Sequence, residues 1–114
     1  MHAFDVLGDP VRRRILELLA DGERSAGEVT SVVMGEFRIS QPGVSQHLRV
    51  LRESGFANVR SAGARRLYAV DPVPLREVDA WLEPFRRSWD ESYERLDDLL
   101  SKLKDKEERD GGED

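Results

Sequence analysis

Cysteine is absent from this 114-residue chain, and histidine occurs only as His2 and His47. Without cysteine there can be no disulfide, no thiolate metal site and no cysteine nucleophile. No apolar run approaches membrane-spanning length, and the start, MHAFDVLGDPVRRR, has no signal-peptide core. The expectation is a cytoplasmic protein without a membrane partner. Catalytic constellations are missing too. No phosphate loop, metal cluster or nucleophile–base pair is visible, and Ser45 and His47 are too close along a helix to face each other. Neither an enzyme nor a bound cofactor is expected.

What is present is an uneven distribution of charge. The net charge is −5, a sign that argues against nucleic acid when taken as an average. From Asp90 onward, eleven carboxylates oppose five basic side chains, whereas residues 1 to 89 net +1. Between Phe37 and Val70 the basic residues are Arg38, Arg49, Arg52, Arg60, Arg65 and Arg66, and Glu53 is the only acid, a local net of +5. For phosphate binding a local basic patch matters more than the sum over the chain.

The stretch ISQPGVSQHLRVLRESGF, Ile39 to Phe56, reads as one helix with two faces. Val44, Leu48 and Leu51 form an apolar stripe at i, i+4, i+7. Ser45, Arg49 and Arg52 repeat that spacing on another face, beside Gln41 and Gln46. Hydroxyl, amide and guanidinium groups without a carboxylate suit base edges and phosphates. Ser40 is a good N-cap, Pro42 fits the first turn, and Gly55 is a good stop.

Three helices precede this one. A short helix runs from about His2 to Leu7. Asp9 then caps a second helix with Pro10 at its first position and an apolar face of Val11, Ile15, Leu18 and Leu19. Ser25 and Glu28 form a capping-box pattern for a third, whose core face is Val29, Val32, Val33 and Phe37. The segment Gly35-Glu36-Phe37-Arg38 then either lengthens that helix or the loop after it. Beyond Phe56, Ala57 to Ser61 and Arg65 to Val70 read as a hairpin turning at Ala62-Gly63-Ala64. Helices followed by an arginine-tipped hairpin have the order of a winged helix-turn-helix, mainly α with a small β-hairpin. In that arrangement the third and fourth helices form the helix-turn-helix, the fourth enters the major groove, and the hairpin, as the wing, reaches backbone or minor groove.

From about residue 4 to 100 the chain resembles the ArsR family of transcriptional repressors, through FDVLGDPVRRRILELLADGE, ISQPGVSQHLRVLRESGF and VRSAGARRLYAVDP. The middle motif is the specific one. The resemblance implies a homodimeric winged-helix protein that binds double-stranded DNA at an operator and blocks transcription. Ser40, Gln41, Ser45, Gln46 and Arg49 match the family's DNA-reading positions. His47 matches one as well, but it lies beside the apolar stripe and is expected to pack or hydrogen-bond. Arg38, Arg60, Arg65 and Arg66 complete the expected DNA contacts. Metal-sensing members carry cysteines in the third helix or His and carboxylate clusters in the last. Here SAGEVTSVVMGEF has neither Cys nor His, and no His follows Asp71, so no metal site is expected.

The last third is expected to be the dimer element. Leu75, Val78, Leu82, Phe85, Trp89, Tyr93, Leu96, Leu100 and Leu103 form a near-heptad stripe, with Phe4 of the first helix as an accessory. Pro84 predicts a kink or break near Leu82 to Pro84. The aromatics Trp81, Phe85, Trp89 and Tyr93 are core, or they line a pocket for a small-molecule effector that the sequence does not name. The expected organisation is a DNA-binding domain at 1–72, a dimerisation helix region at 73–104 and a disordered acidic tail at 105–114. The reading that follows is a repressor acting as a homodimer on a palindromic operator. Its rival is a winged-helix module that binds protein without an operator.

Overall fold

Helix termini leave backbone groups unsatisfied, and much of this fold is built by satisfying them with particular side chains. The computed structural model describes residues 2–111. In chain order the elements are α1 (Ala3–Leu7), α2 (Pro10–Leu19), β1 (Arg24–Ser25), α3 (Ala26–Phe37), α4 (Gln41–Glu53), β2 (Ala57–Ala62), β3 (Arg65–Val70) and α5 (Pro72–Gly111). They divide into two compact units, Met1–Val78 and Asp79–Asp114. Leu75, beyond the expected end of the DNA-binding domain at 72, packs against the core of the first unit.

In the first unit, α1 is only five residues long and is held by its neighbour. Arg12 donates to the carbonyls of Val6 and Asp5 at 2.8 and 2.9 Å, and Arg13 to that of Leu7 at 2.6 Å. Two arginines of the VRRR run therefore cap a helix. The third, Arg14, grips Glu36 of α3 through two hydrogen bonds of 2.8 and 3.0 Å. Asp9 caps α2 as the sequence implies, its carboxylate accepting from the N–H groups of Val11 and Arg12 at 2.8 and 3.1 Å. Ser25 caps α3 by accepting from the N–H of Glu28 at 3.1 Å. The reciprocal half of the expected box does not form. The Glu28 carboxylate takes the Ser25 hydroxyl instead, at 3.1 Å.

The core gathers Val6, Val11, Ile15, Leu16, Leu19, Val29, Val33, Val44, Leu48, Leu51, Phe56, Ala57 and Tyr68. Val32 was expected among them but is exposed, because Val29 and Val33, one turn apart, take the inward face of α3. The ambiguity at Gly35–Arg38 resolves as extra helix. α3 continues to Phe37, which packs against the core, and Arg38 ends it in the left-handed conformation at φ 53° and ψ 42°. α4 ends in a Schellman motif: Phe56 N–H bonds to Leu51 O at 2.9 Å and Gly55 N–H to Arg52 O at 3.2 Å. Gly55 has φ 81°, which explains a glycine there, and buried Phe56 and Leu51 are the apolar pair that accompanies such a stop.

The sheet has three strands rather than the two of a bare hairpin, in the order β1-β3-β2, all antiparallel. Ala62 pairs with Arg65, so the turn is Gly63-Ala64, with Gly63 at φ 63° as a two-residue turn with glycine first requires. Two-residue β1 sets Arg24 opposite Tyr68 and Ser25 opposite Leu67, tying the wing to the start of α3.

In the second unit α5 is continuous through Pro84, so of the expected kink or break the break does not occur. Proline removes one backbone hydrogen bond. Around it Arg86 pairs with Asp79 and with Glu83, the latter at 3.6 Å, and Arg87 lies 4.0 Å from Glu83. Residues 105–111, expected as disordered tail, belong to the helix. Lys and Glu are good helix formers there, and Lys102 pairs with Asp98 at 3.3 Å one turn back. The remainder of the expected tail, 112–114, lies outside the described residues. Among the described residues no helix is long and apolar enough to cross a membrane.

The surroundings of Asp9 point to a pH dependence of the fold. Partial burial raises its pKa, but the N–H groups of Arg12 and Val11 and the charge of His47 outweigh this and hold it below the ordinary value. A depressed carboxylate stabilises fully above its unfolded pKa, and the effect fades as pH falls through the folded one. Asp9→Ala should therefore cost about 1 kcal/mol in urea unfolding at neutral pH, and the difference from wild type should narrow in acid. A difference that does not change with pH would mean that the cap works without its charge.

Candidate nucleic-acid interface

α4 carries the site because its buried stripe fixes its rotation. Val44 and Leu51 are fully buried and Leu48 nearly so. Gln41, Ser45, Gln46 and Arg49 are consequently exposed together. Ser40 is spent as the N-cap, its hydroxyl accepting from Gly43 N–H at 3.3 Å. His47 turns inward. Its Nδ1 is buried without a hydrogen bond among the described residues, 4.0 Å from an Asp9 carboxylate oxygen. That placement separates it from the exposed polar set.

A groove of about 510 Å³ runs beside this face. Gln41, Ser45, Leu48, Arg49 and Arg52 of α4 line one wall, Thr30, Ser31 and Met34 of α3 another, and Arg66 and Tyr68 of β3 the third. The structure thus unites Gln41, Ser45, Arg49 and Arg66 of the expected DNA contacts around one concavity. It adds Arg52, whose spacing from Arg49 and Ser45 on the polar face was the signal, and Thr30 and Ser31, for which the sequence offered none. Arg60 and Arg65 are exposed on the wing strands, and Arg38 is exposed at the turn into α4.

The arginines differ in their partners. Arg49 bonds Glu53 at 3.0 Å, Arg65 bonds Glu28 at 2.7 Å, and Arg60 grips both oxygens of Glu23 at 2.7 and 3.0 Å. The Arg60 guanidinium holds the Glu23 carboxyl below its ordinary pKa, and Glu23 raises that of Arg60. Among the described residues Arg38, Arg52 and Arg66 have no carboxylate partner, and Arg66 lies over the Tyr68 ring at 6.0 Å. No three His, Asp or Glu side chains among them come close enough to share a metal ion.

A two-faced helix behind a helical turn, flanked by a basic three-stranded wing, defines a winged helix-turn-helix protein. The comparisons agree. A helix-turn-helix domain family matches residues 7–60. The chain is 38% identical to the HTH-type transcriptional regulator Rv2034 of Mycobacterium tuberculosis over 74% of this chain and 75% of that protein. It is 30% identical to the transcriptional repressor SdpR of Bacillus subtilis, over 74% and 89% respectively. The crystal structure of an ArsR family transcriptional regulator superposes with a TM-score of 0.63 at 28% identity, covering 77% of this chain and 87% of the other. The chain belongs to the ArsR family of winged helix-turn-helix regulators. It is a DNA-binding transcriptional repressor and not an enzyme.

Because Arg66 has no carboxylate to leave among the described residues, it is the simplest test of the wing. Arg66→Ala should lower the slope of log K against log salt by about 0.9, on random and preferred duplexes alike. Fluorescence anisotropy over a salt series reads this directly, and an unchanged slope would remove Arg66 from the phosphate path.

Proposed function

We infer that two copies of this chain bind a palindromic operator in the cytoplasm, each inserting α4 into a major groove. The observation that carries this reading is the exposure of Gln41, Ser45, Gln46 and Arg49 on a helix whose opposite face is locked in the core. In this reading Gln46 and Arg49 read base edges, with Gln41 and Ser45 beside them. Arg38, Arg52, Arg60, Arg65 and Arg66 serve the backbone or the adjacent minor groove. Ser40 contributes by setting where α4 begins. One helix in one groove makes few base contacts, each good bidentate pair being worth about 1–3 kcal/mol. A twofold dimer doubles them, with recognition helices about 34–36 Å apart, one turn of DNA.

Support for assembly comes from α5. Phe85, Trp89, Tyr93, Leu96, Leu100 and Leu103 are all exposed in the single chain, as are Trp81 and Leu99. Val78 and Leu82 are half-buried, and Leu75 is partly spent on its own core. Phe4 on α1 is exposed as well, stacked on His2 at 5.5 Å. An apolar stripe of this extent suits a second copy better than water. Phe85 and Trp89 are its expected hot spots, since large rings dominate association energies.

Two experiments test the two halves. Gln46→Ala should cost about 1–3 kcal/mol on the preferred duplex and less on random DNA. Equal losses on both would show that Gln46 does not read bases. Leu96→Glu would place a carboxylate in the stripe, where burial without a partner is costly. It should split the dimer and weaken operator binding without touching a DNA-facing residue. Light scattering and a gel shift on the same variant decide this, and a folded monomer with full operator affinity would separate dimerisation from specificity.

A further inference from the structure

Three arginines of the DNA face are already hydrogen-bonded to carboxylates of their own chain. The Arg49–Glu53 pair is local, one helical turn apart. The other two are long-range and share one origin. Glu23 immediately precedes β1 and Glu28 lies just beyond it, so the pairing of β1 with β3 sets both acids beside the wing. Arg60 of β2 reaches the two oxygens of Glu23 at 2.7 and 3.0 Å. Arg65, first residue of β3, reaches Glu28 Oε1 at 2.7 Å, and the Ser25 hydroxyl donates to the same oxygen at 3.1 Å.

A carboxylate offers a guanidinium the same two-oxygen fork as a phosphate. We propose that Glu23 and Glu28 are specificity-determining residues, holding Arg60 and Arg65 as internal phosphate mimics that only a well-seated DNA backbone displaces. This rests on the DNA-binding reading above. Attraction to random DNA then comes mainly from Arg38, Arg52 and Arg66, which have no carboxylate to leave among the described residues. When α4 is docked in its preferred sequence, backbone phosphates are brought to the wing in fixed positions, and the exchange from carboxylate to phosphate becomes favourable. The exchange is feasible because both pairs stand in water: the side chains are 60% and 40% exposed for Arg60 and Glu23, and 61% and 49% for Arg65 and Glu28. Exposed pairs of this kind contribute little as structural clamps.

The test uses the full chain with Glu23→Gln and Glu28→Gln, each titrated by anisotropy against a random duplex and against the duplex the wild type selects from a random library. On the random duplex affinity should rise several-fold, and the log–log salt slope should steepen by about 0.9 for each arginine released. Affinity for the selected duplex should change less, so the ratio between the two falls. Asp21→Asn removes the same charge two residues from Glu23 and should leave the slope unchanged, separating release of an arginine from a general gain in positive potential. In an Arg60→Ala background, Glu23→Gln should add nothing on random DNA. Loss of thermal stability and of selected-duplex affinity, with no gain on random DNA, would make the two acids struts of the wing and overturn the inference. Wild-type protein that shows no salt-dependent binding to any duplex would refute the DNA-binding reading itself. Wild-type binding with Gln variants of identical slope would refute only the role of Glu23 and Glu28.

Discussion

The burial of Val44, Leu48 and Leu51 is the constraint on which the rest of the structure depends. These three side chains, 0–3% exposed, fix the rotation of α4 about its own axis. A helix has one set of neighbours per face, so fixing the apolar set fixes the polar one. Ser45, Gln46 and Arg49 face outward because Val44, Leu48 and Leu51 face inward. The ends of α4 are pinned with equal definition, by Ser40 at one and by the Gly55–Phe56 Schellman motif at the other. A base-reading helix needs this rigidity, since a slip of one residue would carry the readers about 100° around the axis.

Around α4 the fold is held by side chains that reach backbone ends. Short α1 persists because Arg12 and Arg13 occupy its free carbonyls, and α3 is tied to α2 by Arg14 and Glu36. Charged residues thus do structural work in the N-terminal half, while the arginines after Phe37 are turned toward solvent. Composition does not distinguish the two roles. Only the neighbours of each guanidinium do.

The wing shows how a fold modifies a charge pattern. As a linear stretch, residues 37–70 hold six arginines and one acid. In three dimensions β1 delivers Glu23 and Glu28 to the same surface, and three of those arginines carry a carboxylate partner. The positive face is therefore concentrated at Arg38, Arg52 and Arg66, two of which line the groove beside α4. DNA contacts there are governed by which phosphates lie near free cations and which must displace an acid.

Much of this was legible in the sequence because it is encoded by neighbours in the chain. The period of Val44, Leu48 and Leu51, the caps at Asp9, Ser25 and Ser40, and the stop at Gly55 are local, and each formed where its residues stand. The resemblance carried by ISQPGVSQHLRVLRESGF pointed to the winged helix and its function for the same reason. What the sequence left open is set at long range. Two-residue β1 has no strand signal of its own and exists only because β3 lies beside it; Glu23 and Glu28 owe their place to that pairing. Whether α5 stops at Pro84 was also left open by the sequence; the helix runs through it. Val32 fits the apolar pattern of α3, yet it is exposed, since periodicity gives the width of a stripe but not which edge of it meets a neighbour. By itself the sequence determined where α2, α3 and α4 begin and which face of α4 is polar, because capping and side-chain period act over a few residues. The tertiary structure alone decided that Arg60 and Arg65 are paired, because their ion pairs join groups 37 positions apart that only the folded chain brings together.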